Sequence, residues 1–329
     1  MGDPHVKPSN IEESQRLIDW LSGLVVDLPL IFLGDQLDTF GVARVEVVDF
    51  WRKALHQLTK ARAEKIFFIV GNHDQNHAGT HNFMSVFANF SDQVVVVEEP
   101  TTYENCRLIP FMRDNKDFVK AVNDSGSQTI FCHQEFDGAQ FENGFYSPHG
   151  VKLDELTNTG LIISGHIHKT QHLGDKVFYP GTPRPLTKSD ANEQKGVWVA
   201  AIEDRDFEFI PTPKEVAKSF RSITINSETD LKVVKKELKD PERLYVNIQG
   251  SSDFIKGVTK KLDLSEVKIT VDYADELPET GTIKESEGVN KAFHKFAISY
   301  FDSSQDIGGT EIKAIMKVVS KYCPNLTTT

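Results

Sequence analysis

Four short apolar runs in this chain stop on the same kind of signal: LPLIFLGDQLD (28–38), KIFFIVGNHD (65–74), TIFCHQ (129–134) and LIISGHIH (161–168). Each run is unbroken rather than alternating, the pattern of a strand buried on both faces. Such strands need a cover on either side, which a layered α/β architecture supplies. Helical spacing of apolar residues over 11–26, after the cap candidates Ser9 and Asn10, and over 44–62 provides covering elements. Further strands are expected at 94–97 and 106–111, and then at VFYPG, GVWVAAIE and FEFIP, which follow one another with only loops between.

After the linker PTPKEVAKS (211–219) the pattern restarts on a smaller scale. Strand 222–225, a helix over 227–239 opened by the Ser227/Asp230 capping box, strand 243–249, helix 252–263 and strand 267–273 make a βαβαβ unit. The acid-rich stretch 272–288 reads as a solvated linker, and amphipathic helices are expected at 287–301 and 310–322. The expected organisation is thus 1–213, 214–275 and 276–329. The chain carries 37 basic and 48 acidic residues; 214–329 holds 18 of each, so the net charge of −11 falls wholly on 1–213. Bound cations offset such an excess. No run approaches the roughly 18 apolar residues of a membrane span. Three scattered cysteines make neither a disulfide framework nor a thiolate zinc site, so a reducing, cytoplasmic setting is expected.

The polar residues that close the strands are of one chemical kind. Asp35, Asn72, His73, Asp74, His133, His166 and His168 all follow a buried strand, and Asp3-Pro4-His5 repeats the theme at the start. Loops beyond the carboxyl ends of parallel strands converge in space. Oxygen and imidazole donors without thiolate suit manganese, iron or zinc. Two divalent cations sharing a carboxylate use the whole set, and such a pair orients a phosphate, generates a hydroxide nucleophile and offsets charge in an in-line displacement.

In this order and at these intervals, D-x-H, GDxxD, GNHD, the strand-ending histidine and GHIH resemble the calcineurin-like metallophosphoesterase superfamily over residues 3 to about 210. GDQLDTF and GNHD stand where the protein phosphatases of that superfamily carry GDxVDRG and GNHE, which sets this chain apart from that branch. FCHQEFDGAQFENGFYSPHG, GHIHKTQ, YPGTPRPLT and the small βαβαβ unit together resemble the SbcD-type DNA-repair nucleases and their phage recombination-endonuclease relatives. The resemblance implies a layered β-sandwich flanked by helices, a small α+β capping domain and C-terminal helices.

It further implies two divalent metal ions, manganese first, with iron and zinc as alternatives. One would be held by Asp3, His5, Asp35 and His168, the other by Asp35, Asn72, His133 and His166, with Asp35 bridging. His73 would act at the leaving oxygen, Asp74 would orient a neighbour, and Asp38 would fill a position that some family nucleases give to histidine. Relatives run an apolar strand into D-x-H; here Met1-Gly2 stands in its place, so a central strand is expected to be missing. The implied partners are DNA, an SMC-like ATPase subunit of the SbcC type and a second copy of the chain. The implied location is the bacterial host's cytoplasm if the protein is phage-encoded.

Other residues read more plainly. Lys232, Lys235, Lys236 and Lys239 form one face of their helix, either a solvated face or a contact for a phosphate backbone. His56, His172 and His294 read as surface, His77 and His81 as loop, and Cys132, on the opposite side of its strand from His133, as core. Two rival functions stay open on sequence: a small-molecule phosphodiesterase or phosphatase on the same fold, and an inactive scaffold.

Overall fold

The computed structural model describes residues 1–273 apart from 25–26, 127–128, 158–159, 203 and 240–242. The acidic linker beyond 273, the two C-terminal helices and His294 lie outside the described residues. Residues Met1–Tyr273 form one compact unit.

The chain runs α1 (Ile11–Ser22), β1 (Leu30–Phe32), α2 (Val45–Ala61), β2 (Ile66–Ile69), β3 (Val94–Val97), β4 (Thr101–Tyr103), β5 (Cys106–Ile109), α3 (Asn115–Asn123), β6 (Thr129–His133), β7 (Leu161–Gly165), β8 (Gln171–Leu173) and β9 (Val177–Tyr179). It continues with β10 (Gly196–Ala201), β11 (Asp206–Pro211), β12 (Arg221–Ile225), α4 (Asp230–Glu237), β13 (Leu244–Gly250), α5 (Ser252–Lys261) and β14 (Lys268–Tyr273). β1, β2 and β3 pair in parallel as one sheet. A six-stranded mixed sheet has the order β4-β5-β6-β7-β9-β8. β10 and β11 form an antiparallel ribbon, and β12-β13-β14 a parallel sheet of their own.

Strict alternation along the strands builds the layers. Phe32, Ile66 and Phe68 pack with Leu17, Leu21, Trp51 and Leu55 of the two helices. Their neighbours Leu33, Phe67 and Ile69 point the other way and meet Phe131, Ile163 and Phe178 between the sheets. Ile130, Cys132 and Ile162 then face Phe118 and Val122 of α3. The result is helix, sheet, sheet, helix, and it explains why β1 and β2 are apolar at every position. In the small unit Val246 and Ile248 pack on Leu231, Val234, Ile255 and Val258.

Within the described residues the expected strands and helices form within a few residues of their expected ends. Asn10 departs from its expected capping role: its side chain makes no helix cap, but accepts from Lys7 N at 2.9 Å and donates to His5 O at 2.9 Å. It thus braces the Asp3–His5 turn. β4 and β8 are short edge strands of three residues that carry no apolar run, and sequence alone passes over them.

Met1–Val6 runs beside β1. Leu33 N donates to Met1 O at 2.9 Å, His5 N to Asp35 O at 3.0 Å and Val6 N to Gln36 O at 3.0 Å. An apolar cavity of about 290 Å³ lies at Met1, lined also by Leu30, Phe67, Phe131, Phe178 and Trp198.

Candidate metal centre

The strand ends of both sheets meet at one place. Asp35 follows β1, Asn72 and His73 follow β2, His133 ends β6 and His166 follows β7. Parallel β6–β7 pairing sets His133 directly beside Gly165, one residue before His166. All seven expected ligands and His73 converge there.

On one side, His133 Nε2 lies 2.8 Å from Asn72 Oδ1, His166 Nδ1 lies 2.9 Å from the same oxygen, and the two ring nitrogens are 3.3 Å apart. Asp35 Oδ1 is 3.4 Å from His133 Nε2. On the other side, His5 Nε2 lies 3.0 Å from His168 Nε2 and 3.5 Å from Asp35 Oδ2. Asp35 therefore turns one oxygen to each group. His73 comes close enough to His5 and Asp35 to complete a three-residue cation cage of its own.

The donor chemistry fits cations. The Leu33 carbonyl, 2.8 Å from His133 Nδ1, can only accept, so Nδ1 carries the proton. Neutral His133 then meets the Asn72 oxygen lone pair to lone pair, a contact that only a proton or a cation improves. Asp3 uses Oδ1 to accept from His166 N at 3.0 Å, while its buried Oδ2 has no hydrogen-bond partner, nor has buried His5 Nδ1. Such orphans are costly unless a ligand takes them.

The electrostatics agree. Burial pushes the His133 imidazolium down, but the carboxylates of Asp35 and Asp3 more than reverse this, and its pKa stands well above the ordinary histidine value. Burial likewise raises Asp35, and the charge and hydrogen bonding of His133, with His5 and His73, outweigh it and hold the carboxyl below its usual range. His5 shows the opposite balance: burial lowers it to about 4 against the pull of Asp35. His133 and Asp35 thus mark a pocket that favours positive charge, whereas His5 is held neutral, the form that can donate a lone pair to a cation.

The backbone is bent to make this convergence. His5, Asp35 and His166 have φ of 43°, 51° and 81°, a left-handed conformation that costs a non-glycine residue about 1 kcal/mol or more. Close approach adds a second demand. A Cβ on Gly34 would stand 2.1 Å from His133 Nδ1, and one on Gly71 would stand 2.3 Å from Asp35 Oδ1.

The surrounding residues hold the rings. His73 Nδ1 donates to Asp38 O at 2.9 Å, and Phe40 stacks on the His73 ring at 4.0 Å. Asp38 thus serves through its carbonyl, while its carboxylate pairs with Lys7 Nζ at 3.0 Å. Lys195 Nζ donates to His168 O at 2.8 Å and pairs with Asp190 at 2.7 Å. Glu135 and Glu142, unremarked in the sequence, approach His166 and His168. His149 is exposed on the same loop, His77 stacks on Phe40, and Lys232, Lys235, Lys236 and Lys239 lie exposed on and just past α4. Cys132 is buried and its thiol is pushed up to about 12 by burial.

Asp74 accepts from Gly71 N and Leu37 N, each at 2.9 Å, which clamps the turns after β1 and β2 together. Burial and the Asp35 charge override those two donors and raise its pKa to about 8. Its unfolded value is 3.8, so across that window the folded state keeps a proton that the unfolded state has lost. Stability is therefore lost as pH rises from about 4 to 8. Asp74→Asn removes this ionisation. In cation-free protein its stability relative to the parent should climb steadily between pH 5 and pH 8 in urea titrations. A flat difference would show that Asp74 is ionised in the fold.

The sequence model of the calcineurin-like phosphoesterase family matches residues 1–170. Exonuclease subunit 1 of Enterobacteria phage T4 is 29% identical over 187 residues, which span 54% of this chain and 54% of that protein. The chain thus matches about half the length of the T4 protein. Putative phosphoesterase 244L of Invertebrate iridescent virus 6 is 26% identical over 282 residues, 79% of this chain and 96% of the relative. Putative phosphoesterase 078R of Invertebrate iridescent virus 3 is 24% identical over 279 residues, covering 79% and 78%. Among the described residues no helix is long and apolar enough to cross a membrane.

Proposed function

The chain belongs to the calcineurin-like phosphoesterase family and is a metal-dependent phosphoesterase, and from that premise we propose that it is a two-cation phosphodiesterase acting on DNA, the nuclease subunit of a recombination or repair complex. The observation that carries the reading is Asp35, whose two oxygens face two separate donor groups. Asp3, His5 and His168 would hold one cation with it, and Asn72, His133 and His166 the other. When bound, the cations neutralise charge on the phosphate and supply an activated water.

The chain's own residues do the rest. Because His73 Nδ1–H is committed to Asp38 O, Nε2 is the atom left to hold a proton for the departing sugar oxygen. Phe40 and the edge of His5, at 4.8 Å, keep that ring from turning. Asp74 fixes the turns that carry Asp35 and Asn72. Manganese is the cation proposed, since the carboxylate and amide oxygens suit it and no thiolate competes. Lys232, Lys235, Lys236 and Lys239 are proposed to track the DNA backbone. The small unit, 214–275, is proposed to cap the site, and the segment 276–329 to dock an SMC-like ATPase. The likeness to a phage exonuclease subunit supports DNA as the substrate.

The test compares two substrates. Metal-stripped protein should cleave neither linear duplex DNA nor bis-p-nitrophenyl phosphate, and added manganese should restore both. His73→Ala should lose about 10²–10⁴-fold on DNA and far less on the nitrophenyl ester, whose leaving group needs no proton. Ester hydrolysis with no DNA cleavage would overturn the nuclease reading in favour of a small-molecule phosphodiesterase.

A further inference from the structure

The geometry points to the loop between β6 and β7 as a clamp on the two imidazoles of the His166-Ile167-His168 segment, with Glu135 and Glu142 as positioning residues, one for each ring. The inference rests on the two-cation reading above and concerns what orients the ligands.

Each ring faces a cage atom at one end and a loop carboxylate at the other. His166 turns Nδ1 inward to Asn72 and His133, and its outward Nε2 lies 3.4 Å from Glu135 Oε2. His168 turns Nε2 inward to His5, and its outward Nδ1 lies 3.8 Å from Glu142 Oε1. That same Glu142 oxygen accepts from His168 N at 2.8 Å. The two histidines thus use opposite nitrogens inward, and in each case the remaining nitrogen meets a carboxylate from one loop.

The carboxylates are themselves fixed. Ser147, buried, donates its hydroxyl to Glu135 Oε1. Val151 N donates to Glu135 O at 2.8 Å, closing the loop at its base. Beside Glu142, Gln140 N donates to Gln171 Oε1 at 2.8 Å, and Gln171 Nε2 returns a bond to Gln140 O at 2.7 Å. Glu135 and Glu142 are 29% and 19% exposed at the side chain, too enclosed for free rotation. A carboxylate at the outer nitrogen keeps a proton there and makes the inner nitrogen a better donor to a cation. His166 has particular need of it, because its left-handed backbone would otherwise relax and swing the ring away.

The experiment is manganese titration of metal-stripped protein by calorimetry, a readout independent of turnover. The unaltered chain should take up two cations; fewer would overturn the two-cation reading itself, before any variant is considered. Given two, Glu135→Ala should weaken one site by about 10–100-fold and leave the other within twofold. Glu142→Ala should weaken the other site, and the double variant should show both losses. Ser147→Ala, which frees Glu135 without removing it, should weaken the same site as Glu135→Ala by a smaller factor. Single variants that leave both sites within twofold, or that weaken both sites alike, would overturn the inference. The second pattern would mean that the loop only stiffens the fold.

Discussion

Asp35→Ala should abolish phosphodiester hydrolysis, lowering kcat/KM by about 10³-fold or more, while the folded structure persists. Its two carboxylate oxygens face different donor groups, so on the proposed two-cation reading its loss would strip a ligand from each cation at once. It also removes the acceptor for His73 N, which lies 2.9 Å from Asp35 Oδ1. Asp35→Asn separates these effects. The amide oxygen can still accept from His73 N, but the negative charge between the two donor groups is gone. If charge is the deciding term, the asparagine variant should fall nearly as far as the alanine variant. The measurement is hydrolysis of bis-p-nitrophenyl phosphate at saturating manganese, with circular dichroism as the check on folding. Residual activity above a tenth of the parent in either variant would remove Asp35 from the bridging position.

The largest loss of stability is expected at Trp51. Its side chain is fully buried, and it meets Phe32 at 5.7 Å, Phe50 at 5.3 Å and Phe68 at 5.6 Å, all edge to face. Trp51→Ala deletes the indole from a position where α2 crosses β1 and β2, the strands that lead into Asp35 and Asn72. The expected cost is about 3–5 kcal/mol, since rigid neighbouring rings cannot close the hole. Trp51→Phe keeps the edge-to-face geometry and should cost clearly less. Urea unfolding in excess chelator measures both without the stabilising effect of bound cation. A loss under about 1 kcal/mol for the alanine variant would mean that the surrounding layer collapses into the space.

Much of the site was legible because the candidate ligands other than Asp3 and His5 each follow or end an apolar run. GDQLD, GNHD and GHIH carry a glycine and a metal-binding residue type at the point where a buried strand must end, and burial on two faces leaves little else for those runs to be. Glu135 and Glu142 carried no such mark. They lie in a loop rich in polar residues, and their meeting with His166 and His168 depends on the loop's path, which no periodicity encodes. Asp38 was left without an assigned role for a related reason: sequence reading weighs side chains, whereas its contribution to His73 is a backbone carbonyl. Arg184 was invisible for the same cause. It is buried, donates to Pro4 O at 2.8 Å and pairs with Glu13 at 3.1 Å, and Arg243 of the small unit shares that glutamate. A link between residues 4, 13, 184 and 243 can be seen only once the chain is folded.

The donor groups are drawn from both sheets, Asp35 and Asn72 from the end of one and His133, His166 and His168 from the other, and 133 positions of sequence separate Asp35 from His168. The first sheet alone gathers only His5, Asp35 and His73; the group of Asp35, His133 and His166 needs both sheets. A chain emerging from the ribosome, or one opened by damage along the seam between sheets, carries only loose fragments of the centre. Reactivity is therefore tied to completed tertiary structure, since the long-range contacts that assemble the cage are slow to form. Folding itself acts as the safety catch on a hydrolase whose reaction, inside a living cell, is hard to undo.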